Sequence, residues 1–101
     1  MTSSMGAEPT SQNSTFTACF SVVSETDPNA LSRILEPFTK RGLTPSHVYA
    51  MRTGAKGETL QVDLHLADAD DDTARRIAND IHGMWLVETV LTSEKRYADA
   101  I

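Results

Sequence analysis

Cysteine occurs once in the 101 residues, as Cys19. A single thiol excludes an internal disulfide framework. Met1 to Ser14 lacks the basic start and apolar stretch of a secretion signal, so a reducing, cytoplasmic setting is expected. No apolar run approaches the ~20 residues needed to cross a bilayer, so no membrane partner is expected. Basic residues are outnumbered, with 9 Lys and Arg against 14 Asp and Glu, for a net charge of -5. An acidic surface repels phosphates, which argues against a nucleic-acid partner. Glycine is too sparse for a phosphate-cradling loop. Gly54-Ala55-Lys56-Gly57 reads as a hairpin turn. His47, His65 and His82 match no zinc spacing and there is no second cysteine, so neither a metal site nor a cofactor is expected. The run Asp68 to Asp72 lacks the glycine and glutamate of a calcium loop and suits the positive end of a helix.

What is present is enough for one core. Forty per cent of the residues are hydrophobic, and the length suits a single domain. Residues 1–14 are rich in Ser, Thr, Gly, Pro and Asn without apolar periodicity, predicting a disordered leader. Residues 15–93 carry the periodic patterns, and 94–101 read as a C-terminal tail. Phe16, Ala18, Phe20 and Val22 alternate with polar neighbours, predicting a first strand from Thr15 to Ser24. Asp27 and Pro28 open a helix, with Leu31, Ile34, Leu35 and Phe38 on one face and Gly42 as its left-handed stop. That helix is expected from Pro28 to Arg41, kinked at Pro37. Ser46 to Thr53 and Glu58 to Ala67 read as strands two and three. The apolar set Leu60, Val62, Leu64 and Leu66 is the clearest strand signal. Ala74, Ile77, Ala78 and Ile81 predict a second helix from Asp70 to His82. Trp85 to Thr92 reads as strand four, with its inward face undecided and Trp85 assigned to core or interface.

The order is β-α-β-β-α-β. Two split units with right-handed crossovers give a ferredoxin-like α+β fold, a four-stranded antiparallel sheet with two helices on one face. That fold hosts many activities and names none.

The stretch Ser24-Glu25-Thr26-Asp27-Pro28-Asn29-Ala30-Leu31-Ser32-Arg33, followed by Phe38-Thr39-Lys40-Arg41-Gly42, resembles the start of an ACT domain. It is similar above all to the small regulatory subunit of acetolactate (acetohydroxyacid) synthase. The resemblance extends over roughly Thr15 to Thr92. It implies a regulatory domain rather than an enzyme, pairing by sheet edges into a homodimer or higher oligomer and taking a small amino-acid effector at the interface. It places the loop side of that site at Thr26, Asp27, Pro28, Asn29 and Ala30, and the partner side at Thr44, Pro45 and Ser46. It also implies a large thiamine-diphosphate-dependent synthase subunit as partner in branched-chain amino acid biosynthesis. Free amides at a helix start suit a ligand carboxylate.

Asn29 stands where that family commonly has glycine, and Thr26 and Thr44 stand where the synthase subunit tends to carry asparagines. This motivates an alternative, a ligand-free structural or assembly module that only binds a partner enzyme. A third reading, an acylphosphatase-like hydrolase, needs an arginine in the first loop; that loop is acidic and Arg33 falls inside the predicted helix. No residue is assigned a catalytic role. Cys19, between Ala18 and Phe20, reads as a packing residue.

Overall fold

The computed structural model describes residues 15–96. The predicted leader, and the predicted tail from residue 97 onward, lie outside the described residues. The elements run β1 (Phe16–Glu25), α1 (Ala30–Thr39), β2 (His47–Thr53), β3 (Thr59–Ala69), α2 (Asp71–His82) and β4 (Val87–Lys95). The strands form one antiparallel sheet in the order β2-β3-β1-β4. This is the predicted ferredoxin-like α+β arrangement.

Strand alternation sorts the residues between the two faces. Phe16, Ala18, Phe20 and Val22 of β1 and Val62, Leu64 and Leu66 of β3 are buried. They form one cluster with Ile34 and Phe38 of α1 and Ile77 and Ile81 of α2. The rings of Phe20 and Phe38 meet edge to face, with centroids 5.7 Å apart. Both helices therefore cover the same side of the sheet. The opposite face presents His47, Tyr49 and Met51 from β2, in register with His65, Asp63 and Gln61 from β3.

Helix α1 ends at Thr39, two residues before the predicted Arg41, with the predicted glycine stop beyond it. Gly42 adopts φ +70°. Its N–H donates to the Thr39 carbonyl, and that of Leu43 donates to the Phe38 carbonyl, the paired bonds that satisfy a helix end. The helix runs unbroken through Pro37, which is buried. Its start is later than predicted. Ala30 is the first helical residue, and Pro28 lies in the turn before it. The backbone reason is local: the Asp27 carboxylate accepts from the Asn29 N–H at 2.8 Å, forming its own turn before the helix begins.

Three further boundaries differ from the sequence reading. Asp68 belongs to β3 rather than to the helix start; it takes φ +56° where the β1–β3 register shifts. A bulge absorbs it, and Asp70 caps α2 by accepting from the Thr73 N–H at 2.8 Å. Trp85 is outside β4 and 75% exposed, so it is not core; Leu86 is the buried residue of that turn. Strand β4 continues to Lys95, beyond the predicted Thr92 and into the segment assigned to the tail. Its residues pair with β1 as far as Thr17, and the length of β1 carries the pairing past the apolar run. Val87 and Val90 are its inward apolar positions, packed against the core, whereas Leu91 is 68% exposed.

Candidate functional site

The corner between β1 and α1 holds the five predicted loop residues. Thr26 is fixed twice to the β2–β3 hairpin. Its N–H donates to the Glu58 carbonyl at 3.1 Å and its hydroxyl to the Gly57 carbonyl at 2.7 Å. The same Gly57 carbonyl accepts from Nε of Arg52 at 3.2 Å. Gly57 has φ +68°, and a Cβ there would come within 2.9 Å of the Arg52 guanidinium. Only glycine fits that junction comfortably, so the hairpin and the loop are set in place together.

Beyond Thr26 the turn is tight. The Asp27 carbonyl accepts from Ala30 N–H at 2.9 Å, and the Asn29 carbonyl accepts from Arg33 N–H at 3.1 Å. Asn29 is the residue before the helix, at φ -95° and ψ -2°, and its side chain makes no capping bond. The amides of Leu31 and Ser32 thus face the turn without a capping acceptor, next to the positive end of the helix dipole. Ala30 is buried, and it anchors the corner to the core.

A shallow depression of about 280 Å³ lies beside this corner, lined by Asn29, Ser32, Arg33 and Glu36. The predicted set contains only Asn29 of these. Arg33 and Glu36 bring one cation and one anion to the same concavity. Their spacing of i and i+3 puts them on one helix face, but a pair of charges on a helix reads equally as a solvated surface.

The second predicted group, Thr44, Pro45 and Ser46, is elsewhere. Ser46 donates to the His65 carbonyl from its N–H at 2.8 Å and from its hydroxyl at 3.2 Å. The β1–α1 corner is instead level with Thr59, the partner of Glu25. From Thr59 to His65 the strand rises about 20 Å. One chain therefore does not bring the two groups together. A larger open trough of about 560 Å³ runs between α2 and β4, floored by Phe16, Ala18 and Phe20. None of the eight predicted site residues lines it.

Arg33 lies within α1, so the loop has no arginine with which to cradle an acyl phosphate. Among the described residues, no helix is long and apolar enough to cross a membrane.

No protein-family model matches the sequence, and no curated protein matches it significantly. Solved structures do resemble the fold. The ACT domain from the GTP pyrophosphokinase of Chlorobium tepidum superposes with a TM-score of 0.64 at 16% identity, covering 78% of this chain and 99% of that one. The C-terminal domain of the MgtC protein from Mycobacterium tuberculosis gives 0.62 at 13% identity, covering 87% and 96%. The regulatory subunit of aspartate kinase from Thermus flavus gives 0.59 at 10% identity, covering 80% and 53%. At these identities the likeness is one of fold.

Proposed function

We propose that this chain is a regulatory ACT domain protein that binds an amino acid, serving as the small subunit that modulates an acetolactate synthase in branched-chain amino acid biosynthesis. The observation that carries the reading is the uncapped start of α1. Its free amides suit a ligand carboxylate, and Glu36 in the neighbouring depression suits an ammonium group. Two structural neighbours, the ACT domain from a GTP pyrophosphokinase and a regulatory subunit of aspartate kinase, are in keeping with this reading.

The pocket requires a second copy of the chain in this reading, because Thr44 to Ser46 lie at the other end of the sheet. Strand β2 supplies the means. It is a sheet edge, and Val48, Tyr49 and Met51 are 44, 49 and 47% exposed. An edge with apolar side chains on both faces is a ready pairing surface. An amino acid that binds only the assembled interface stabilises it, and that free energy is passed to the synthase.

Thermal denaturation tests the ligand. Valine, leucine or isoleucine at about a hundred times its dissociation constant adds about 2.7 kcal/mol of stability and raises Tm. An unchanged Tm with all three contradicts the ligand reading.

One observation favours the alternative, a ligand-free assembly module. The polar groups of Thr26 and Asp27 are already spent on bonds within the chain. In that case the chain activates a large synthase subunit equally with and without amino acid. Under the first reading the amino acid changes the activation.

A further inference from the structure

The trough between α2 and β4 is an apolar groove with small walls. Phe16, Ala18 and Phe20 of β1 form its floor. Ala74 and Ala78, one turn apart on α2, and Val90 of β4 form its sides. These three pack against the core but are only partly buried. Two alanines where α2 faces β4 leave the gap unfilled. Arg75 and Glu94 stand on the rim.

The described chain ends at the mouth of this trough. Strand β4 runs antiparallel to β1 and finishes at Lys95, in register with Thr17. In Arg96, the next residue, Cζ lies 4.9 Å from the centroid of the Phe16 ring and Nη2 lies 2.9 Å from Oε1 of Glu94. Phe16 and Glu94 both line the trough. Tyr97-Ala98-Asp99-Ala100-Ile101 come next in the sequence, and all but Asp99 are hydrophobic.

We propose that residues 97–101 turn back after Arg96 and dock in the trough, with Ile101 as the apolar anchor against Ala74, Ala78 and the floor. The reach fits. A reversal takes about two residues, and the remaining three extend about 10 Å. Along β1, Ala18 lies about 7 Å and Phe20 about 13 Å from Phe16. On α2, which runs back along the sheet, Ala74 and Ala78 lie about 5 and 10 Å from Asp71. Ile101 therefore reaches the stretch where the alanines leave space, and its burial there removes apolar surface from water on both sides. Charge agrees with this placement. Asp99 passes the rim at Arg75, whose Nη2 meets Asp72 at 2.7 Å and whose other N–H groups suit a second carboxylate. The segment ahead of β1 reaches the same end of the sheet, but Ser11-Gln12-Asn13-Ser14 is polar throughout and does not suit an apolar floor. The trough lies toward the other end of β1 from the β1–α1 corner, and the proposal is independent of the amino-acid reading.

Nuclear magnetic resonance of the 101-residue chain tests it. Nuclear Overhauser contacts are expected from the Ile101 methyls to those of Ala74 and Ala78. A mixture of labelled and unlabelled chains is expected to show none of these contacts between chains. Backbone order parameters of Ala100 and Ile101 are expected above about 0.6, and to fall below it in Ala78→Gln, which fills the trough, and in Ile101→Ser, which removes the anchor. Leu91→Ser, on the opposite face of the sheet in register with Ser21, leaves them unchanged. Circular dichroism establishes that each variant is folded. Order parameters below about 0.6 in the unsubstituted chain, contacts that run between chains and so give the trough to a second copy, or a tail equally ordered in Ala78→Gln overturn the proposal.

Discussion

Asn29 decides how the residue-scale argument for a ligand is framed. Its backbone is right-handed helical, so the position does not need the conformational freedom of glycine. Asn29→Gly therefore costs only a few tenths of a kcal/mol, since no capping bond is lost. It also opens the approach to the Leu31 and Ser32 amides, so amino-acid affinity is expected to rise in calorimetry; an unchanged affinity argues that the ligand does not approach there. Asp70 behaves differently. Its side chain does cap α2, and Asp70→Ala should cost about 1 kcal/mol in urea denaturation. His65 gives a pH signature. Its folded pKa is lowered by burial first, then by His47 and Lys95. The native state thus resists a proton that the unfolded chain accepts. Stability from this source is complete above the unfolded value of about 6.5 and falls as the pH drops below it. His65→Gln should flatten the denaturation midpoint between about pH 7 and pH 5.

Between elements, the two helices are tied as well as packed. Asp80 of α2 meets Nζ of Lys40 at 3.2 Å and Nη1 of Arg41 at 2.9 Å, through an oxygen hidden from solvent. Burial works to raise the Asp80 pKa, but the close cationic groups of Arg41 and Lys40 outweigh it and hold the carboxyl below its ordinary value. The tie is thus present at neutral pH and is lost as acid protonates Asp80, below about pH 4. The pair is partly exposed, so a double-mutant cycle between Asp80 and Arg41 should return less than about 1 kcal/mol. Phe38→Ala is a much larger perturbation, about 3–5 kcal/mol, because it empties the edge-to-face contact with Phe20. These core positions were legible in the sequence. The alternation of Phe16 to Val22 and the helical spacing of Ile34 to Phe38 repeat on one face, and burial follows that repeat. The element ends were less legible. Asp68 looks like its acidic neighbours, yet a register shift with β1 places it in a bulge, and no local pattern encodes pairing with a distant strand. Trp85 failed for a similar reason. An apolar run does not reveal which residue of a turn points inward, and here Leu86 fills the space.

For the whole molecule, the sheet has two edges and, among the described residues, one face without a covering helix, and the proposed assembly uses the β2 edge. Met51→Lys is expected to weaken dimerisation in sedimentation equilibrium while leaving Tm of the isolated chain nearly unchanged, because Met51 is 47% exposed. The turn and the helix start that form the β1–α1 corner were legible through Asp27, Pro28 and the apolar stripe that follows them. Arg33 and Glu36 were not, because charged residues on a helix usually read as a solvated surface. That His47 and His65 share the outer face of neighbouring strands follows from strand alternation, whereas their direct pairing does not, since only strand register sets it. The central claim is that the open amides of α1 receive a small zwitterion once two chains have paired. Calorimetric titration of a dimer verified by sedimentation tests it most directly. Saturable heat with valine, leucine or isoleucine, greatly weakened in Glu36→Gln, is the predicted result. A verified dimer that gives no heat with any of the three contradicts it.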